Sequence, residues 1–170
     1  MDLNTFEVRL CIFLGLLTLF LLLETIWPQK NPVVSRLLRV FNNLSLFGLN
    51  SIIVKILLPS ATIAAALWAQ KFQFGFFHFF KIPIFVQVIS TFLILDFALY
   101  LQHRLFHSVS WLWIFHKVHH SDIDFDCTTA ARVHTVEIVF SIIIRCVEIV
   151  ILGASPATAF AFEVLLNASL

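Results

Sequence analysis

"HRLFHSVSWLWIFHKVHH", residues 103–120, sets five histidines in eighteen positions among Trp, Phe, Leu and Ile. His103 and His107 stand four apart, so on a helix both imidazoles project from one face, one turn from each other. His116, His119 and His120 follow at i, i+3, i+4, which on a helix again makes a single-face trio. Neutral imidazole suits iron, zinc, copper and nickel, and this pair and trio can bring five nitrogen donors to one pocket. Without a metal, five imidazoles at the edge of a low-dielectric phase each need a separate hydrogen-bond partner. His78, the one histidine outside the 103–134 stretch, sits alone in a Phe-rich turn and reads as a satisfied interfacial residue.

The surrounding chain is apolar. Of its 170 residues 60% are hydrophobic and 12% charged, with a mean hydropathy of +0.96. Soluble domains hold about 45–50% apolar and about 25% charged residues, so this composition marks an integral membrane protein. A net charge of +1 leaves no nucleic-acid footprint. Cys11, Cys127 and Cys146 are scattered and lack CxxC spacing, so they read as small apolar fillers and not as a disulfide framework.

The apolar runs predict an all-α, multi-pass bundle forming one domain over residues 1–170. A first span runs from Leu10 through Leu23 to Trp27, with Pro28 as breaker; Asp2 and Glu7 spoil the basic start that a signal peptide needs. Lys30, Arg36 and Arg39 make the next loop the most basic short one, which the positive-inside rule places in the cytoplasm. A second span is expected over 52–68, with Lys55 snorkelling toward the same side, and "KFQFGFFHFFKIP" (71–83) then forms an outer interfacial turn. A third span, 84–101, returns the chain to the cytoplasm and into the histidines. Two further apolar helices, parted by Gly153 and Pro156, form two spans or a hairpin that does not fully cross. Arg145 and Glu148, at i, i+3, are expected to pair within the membrane.

Polar groups flank the histidines. Asp96, Tyr100, His103 and His107 share a helix face; Asp96 either orients a ligand imidazole or pairs with Arg104. Asp122, Asp124 and Asp126 open like a calcium loop, but Cys127 stands where glycine is needed and Val133 where glutamate is needed, so calcium is excluded. Arg132, His134 and Glu137 form R-x-H-x-x-E, which adds a ligand or an orienting group, or is an ion-pair network.

"DFALYLQHRLFH" (96–107) and "WLWIFHKVHHSDIDFDCTTAARVHTVE" (111–137) together resemble the fatty acid hydroxylase superfamily, in particular its sterol desaturase branch. The resemblance lies in D-x-x-x-Y-x-x-H-R-x-x-H, H-x-x-H-H-S and R-x-H-P-x-E, with Thr135 in the place of the usual proline. It covers Asp96 to Glu137 specifically and the flanking spans in order and hydropathy. It implies a membrane-bound di-iron oxygenase of lipid biosynthesis, with its histidine boxes facing the cytoplasm. Such an enzyme uses O2 and an external electron-transfer protein to hydroxylate or desaturate a fatty acyl chain or sterol. His103 and His107 carry over as the first box, and His116, His119 and His120 as the second. His134 is a further candidate ligand, and Asp96 and Glu137 are candidate supports. Zinc is an alternative occupant of the purified protein.

Family members carry more histidines after the next spans, whereas this sequence stops at "LLNASL". The expectation is therefore the N-terminal portion of a hydroxylase, whose dinuclear site needs donors from elsewhere. Two rival readings are a non-enzymatic membrane metal or haem carrier and an inactive, shortened hydroxylase. Spacing favours the oxygenase, since haem axial ligation needs histidines on facing helices.

Overall fold

A computed structural model describes residues 5–28, 33–58 and 60–168. Asp2, Lys30 and the side chain of Glu7, used above to orient the first segment, lie outside the described residues. All regular structure among those residues is helical, as the apolar runs predict. Helix α1 (Thr5–Ile26) takes up the first run and stops before Pro28. Its closing turn matches the restriction that proline places on the residue before it.

The second span differs from expectation. Residues 52–68 are not one helix: α2 covers Arg36–Leu57 and α3 covers Ala61–Lys71. Leu58 leaves helical geometry at φ −137° and Ser60 adopts a left-handed φ of 52°. Pro59 in the sequence supplies the physical reason, because a proline ring removes one helical N–H and clashes with the turn before it. The apolar stretch long enough to cross a membrane instead begins at Arg36 and runs, with this break, to Phe80. The short helix α4 (Phe76–Phe80) forms within the expected Phe-rich turn. Helix α5 (Ile84–Ser108) is the second candidate span and continues unbroken past residue 101 to carry His103 and His107. Its 25 residues, at a rise of about 1.5 Å each, exceed the roughly 30 Å of a bilayer's hydrocarbon core. Helices α6 (Ser110–His116), α7 (Thr135–Leu152) and α8 (Pro156–Ala168) complete the set, with one-turn 3-10 segments at His119–Ser121 and Thr129–Ala131.

Helix α2 is inside out. Its buried residues are Arg39, Asn43 and Asn50, all polar and on one face, while Leu37, Leu38, Phe41, Leu49 and Ile52 are exposed. A water-soluble helix buries the opposite face. This arrangement is stable where the outer medium is lipid and the inner face meets polar partners.

Those partners are the chain after the histidines. Arg39 meets all three aspartates: Nε lies 3.2 Å from Asp122, Nη1 lies 3.4 Å from Asp124, and Nη2 bonds Asp126. Asp124 also accepts the backbone N–H groups of Val33 and Val34 at 2.8 and 2.9 Å. Asn43 donates to Asp122 and to Thr128, each at 3.0 Å. Lower on the stripe, Asn50 donates to the Val133 carbonyl at 2.6 Å and accepts from the Thr135 hydroxyl at 2.5 Å. Thr135 opens α7 where a proline is usual in the resembling motif, and its hydroxyl makes a bond that proline cannot. The aspartate triplet that mimics a calcium loop thus has a guanidinium at its centre.

Helix α7 is the hub of the apolar packing. It lies chiefly against α3 and also touches α2, α4, α5 and α6. Ala66, Phe77, Leu95, Ile149 and Phe162 fill the core they share with α8. The 74–76 turn passes so close to the end of α7 that a Cβ on Gly75 (φ +109°) falls 2.3 Å from the Gly153 nitrogen. Arg145 makes its close ion pair with Glu163 of α8 at 3.2 Å, while Glu148, the partner its spacing suggested, is reached by charge alone and not at contact distance. At i, i+3 two side chains on one apolar helix share a face, but here α8 brings a carboxylate straight to the guanidinium.

Burial works against the Asp122 carboxylate, yet bonds from Asn43 and Thr129, together with the Arg39 and Arg132 charges, outweigh it and hold its pKa below the usual range. A depressed folded pKa contributes stability that is full above the unfolded value and is lost as pH falls through the folded one. Arg39→Ala is therefore expected to cost about 3 kcal/mol near neutral pH by leaving buried carboxylates uncompensated. The gap between variant and parent should close as the aspartates protonate. Thermal unfolding in detergent at neutral and acid pH checks this; equal midpoints near neutrality would show that the clamp carries no stability.

Candidate metal centre

Helix α5 delivers the first pair of histidines. Gln102, buried one residue before His103, hydrogen-bonds Ser141 of α7, and Phe106 is wholly buried beside Phe140. These two contacts fix the rotation of α5, so His103 and His107 fall on the flank next to the bundle. Val109 is extended (φ −104°, ψ 116°) and turns the chain back into α6, whose last residue, His116, comes to face α5. The trio does not continue along one helix face, as its spacing suggested. Helix α6 stops at His116, and His119 and His120 ride on the following 3-10 turn. The tighter winding still directs them inward.

Four imidazoles converge. The Nε2 of His107 lies 3.1 Å from that of His103, 3.2 Å from that of His116 and 3.3 Å from that of His120. Ring nitrogens of His103, His107 and His116 all fall within 4.8 Å of one another. His119 joins through its ring, 5.7 Å from His116 and 5.1 Å from His120, and its Nδ1 is buried without a hydrogen-bond partner.

These separations are not those of an ordinary hydrogen-bond network. One Nε2 carries a single hydrogen or a single lone pair, so His107 cannot satisfy three neighbouring nitrogens at once. Two nitrogens bound to one ion at about 2.0–2.1 Å stand roughly 3.0–3.4 Å apart, which is the spacing seen here.

Protonation states agree. Glu137, at the start of α7, places Oε1 2.9 Å from His116 Nδ1. Burial first, then the four neighbouring imidazoles, push His116 down to about 4, so it is neutral near pH 7 and this contact is a neutral N–H donating to a carboxyl oxygen. With the proton on Nδ1, its Nε2 presents a lone pair to the cluster. His120 is lowered by burial and then by its imidazole neighbours as well.

Burial is uneven. His116 is 2% exposed, whereas His103, His107 and His120 are exposed. Trp113 closes part of the open side, its ring 5.4 Å from His107 and 5.5 Å from His120. Beside it lies an open cavity of about 310 Å³ lined by His107, Ser108, Ser110 and Trp113.

Two expected site residues stand apart. His134 caps α7, its Nδ1 accepting the Val136 N–H at 3.1 Å, and its ring packs on Phe115. It touches no other imidazole among the described residues. Asp96 is exposed on α5 and makes no hydrogen bond among the described residues, while Arg104, its alternative partner, turns to Tyr100 at 3.4 Å. Sequence reasoning overlooked Trp113 and the polar stripe of α2. The stripe was readable as polar residues at i, i+4 and i+11 in an otherwise apolar helix; Trp113 carried no such signal.

The comparisons accord with this geometry. Residues 88–170 match the fatty acid hydroxylase family model. An ornithine lipid hydroxylase, OlsE, of Rhizobium tropici is 28% identical over 148 residues, which is 84% of this chain and 45% of that protein. An alkylglycerol monooxygenase of Xenopus tropicalis is 43% identical over 51 residues, 30% of this chain and 11% of that protein. The chain thus spans less than half the length of either relative. No solved structure matches it. Residues 88–170, just under half of the chain, hold the converging imidazoles and carry the match to the fatty acid hydroxylase family.

Proposed function

We propose that this chain supplies one wall of the metal centre of a membrane-embedded, O2-dependent lipid hydroxylase. The observation that carries the reading is the convergence of four Nε2 atoms at ligand spacing, beside a buried His119 nitrogen that lacks a partner. The donor set fits iron, the usual metal of the family: the nitrogens are close, His116 is held neutral, and its tautomer is fixed by a carboxyl group. When bound, iron supplies the activation of O2 that attack on an unactivated C–H bond requires.

The chain's own residues do the rest. His103, His107, His116, His119 and His120 present nitrogens, and Glu137 keeps the His116 proton at Nδ1 and its Nε2 bare. His134 is proposed as a further ligand only through a donor set that reaches it from outside this cluster, since its Nδ1 is committed to the helix cap and its ring packs on Phe115. Two irons about 3.5–4 Å apart ask for more donors than one wall provides. The exposed side of His103, His107 and His120 is where those donors enter, and Asp96 stands on that side to orient one of them. The open cavity beside Trp113 receives the reacting part of a fatty acyl or sterol substrate, with His107 on its wall. The names of both relatives favour hydroxylation over desaturation.

A haem or a carrier role fits less well. Nitrogens 3.1–3.3 Å apart leave no slot for a porphyrin between them. The membrane arrangement is multi-pass, with α1, α2 and α5 as spans and the histidines on the cytoplasmic side, where an electron-transfer protein docks. Contacts of Arg39, Val33 and Val34 with the aspartates after the histidines support a shared side for the basic loop and the metal site.

Purified protein should carry transition metal, with iron expected and zinc as substitute, and His107→Ala or His119→Ala should lower occupancy by about tenfold or more. Elemental analysis checks this, and a parent without metal above background would refute it. In a longer protein that adds the further donors, isotope-labelled O2 should enter a membrane lipid only when His107 is present, whereas residues 1–170 alone should incorporate none; label incorporation that survives His107→Ala would remove the oxygenase reading and leave metal binding standing. Single cysteines at Ser35 and Ser121 should react with an impermeant reagent from the same, cytoplasmic side, and opposite accessibility would overturn the arrangement.

A further inference from the structure

The 3-10 turn that carries His119 and His120 has little to hold it. Within it, Ser121 N–H reaches the Val118 carbonyl at a long 3.4 Å and the Ser121 hydroxyl donates to the same carbonyl at 2.8 Å, local bonds that tie the turn to nothing outside itself. Arg132, met above only as a charge near Asp122, grips this turn at both ends. Its Nε donates to the Val118 carbonyl at 2.9 Å, just before His119, and its Nη2 donates to the Ser121 hydroxyl at 2.9 Å, just after His120. The same guanidinium reaches α2, with Nη1 donating to Asn43 Oδ1 at 3.1 Å. Asn43 is wholly buried and already fixed by Asp122 and Thr128. The two histidines are thus referred through one planar group to the polar stripe of the second helix.

We propose that Arg132 is a positioning residue for metal: it sets the placement of His119 and His120 against His107 and His116, and so the affinity and geometry of the centre. The inference rests on the reading that the histidine cluster binds metal. Guanidinium chemistry is what the task requires. Its donors lie in one rigid plane and serve three acceptors at fixed angles, whereas a lysine ammonium is a single point on a flexible stem. Free of this grip the turn has many conformations, and each ion bound must then select the competent one, which weakens apparent affinity.

The test is cobalt(II) titration of the detergent-purified chain, read by the visible absorption of the bound ion, whose band shape and intensity report ligand geometry. Arg132→Ala is expected to weaken cobalt binding by about tenfold or more and to change the band shape, with helix content by circular dichroism unaltered. Arg132→Lys should fall between parent and Ala, and Ser121→Ala should weaken binding in the same direction. These two carry the test if the alanine variant fails to fold. Arg145→Ala, which breaks a buried ion pair away from the histidines, is the control and should lower thermal stability without moving the spectrum. Cobalt affinity and spectrum unchanged in folded Arg132 variants would overturn the positioning role while leaving the metal centre intact. Equal loss in Arg145→Ala would also overturn it, by reducing the effect to general destabilisation. A parent that binds no cobalt would remove the metal reading itself, and this inference with it.

Discussion

The polar stripe of α2 is the constraint on which the rest depends. Three side chains, Arg39, Asn43 and Asn50, are turned inward on a helix whose apolar side chains face out. In lipid none of them can turn back to solvent, so each must find partners within the chain. They find them in order along residues 122–135, a stretch with few helical hydrogen bonds of its own. The stripe therefore acts as a template: it gives an irregular loop a fixed shape at the membrane edge. Buried ion pairs are a doubtful source of net stability, since desolvation consumes much of their attraction. What they supply here is register, because a helix shifted by one residue would leave a guanidinium and three carboxylates unmatched.

That template matters because the site is made of pieces that no single element could align. Helix α5 contributes two histidines, the end of α6 one, and a 3-10 turn two more. The first two elements are oriented by packing, through Phe106 and the Gln102–Ser141 bond. The third is held mainly by hydrogen bonds, from Arg132 and from the Ser121 hydroxyl, with Trp113 against His120. Glu137 then ties the cluster to α7, the helix against which the others pack, and does so through the nitrogen of His116 that faces away from the cluster. Positioning and tautomer selection are accomplished by one contact.

Much of this was legible in the sequence. The i, i+4 spacing of His103 and His107 needs only a helix to bring their nitrogens together, and hydropathy alone predicts that helix. The chain's all-helical class followed from the same apolar runs. What the sequence could not show was anything settled by contacts between distant residues. Pro59 lies inside an apolar run whose hydropathy predicts one span where the chain forms two helices. Asp122, Asp124 and Asp126 were tested against a calcium loop because their alternation is local, while their partner Arg39 lies more than eighty residues earlier. Arg145 was matched to Glu148 for the same reason, when the nearer carboxylate in space was Glu163 on the next helix. Periodicity reports which face a residue occupies, not what lies opposite that face.

The cluster is rigid on one side and open on the other, and the two halves suit different demands. Around His116 the protein is dense: the ring is buried against Phe106, its outer nitrogen is bonded to Glu137, and burial keeps it neutral. A ligand held this way keeps its lone pair available with no reorganisation. Around His103, His107 and His120 the same density would be self-defeating, because a lipid chain and further donors have to approach there on the proposed reading. Trp113 reconciles the two. Its indole covers the imidazoles of His107 and His120 on one flank, which limits water, yet it does so as the wall of an open cavity instead of a plug. An aromatic plane is suited to that place, since it is wide and stiff enough to cover the two imidazoles without filling the cavity. The exposed imidazoles are thus the working edge of the site, and the buried one is its reference point.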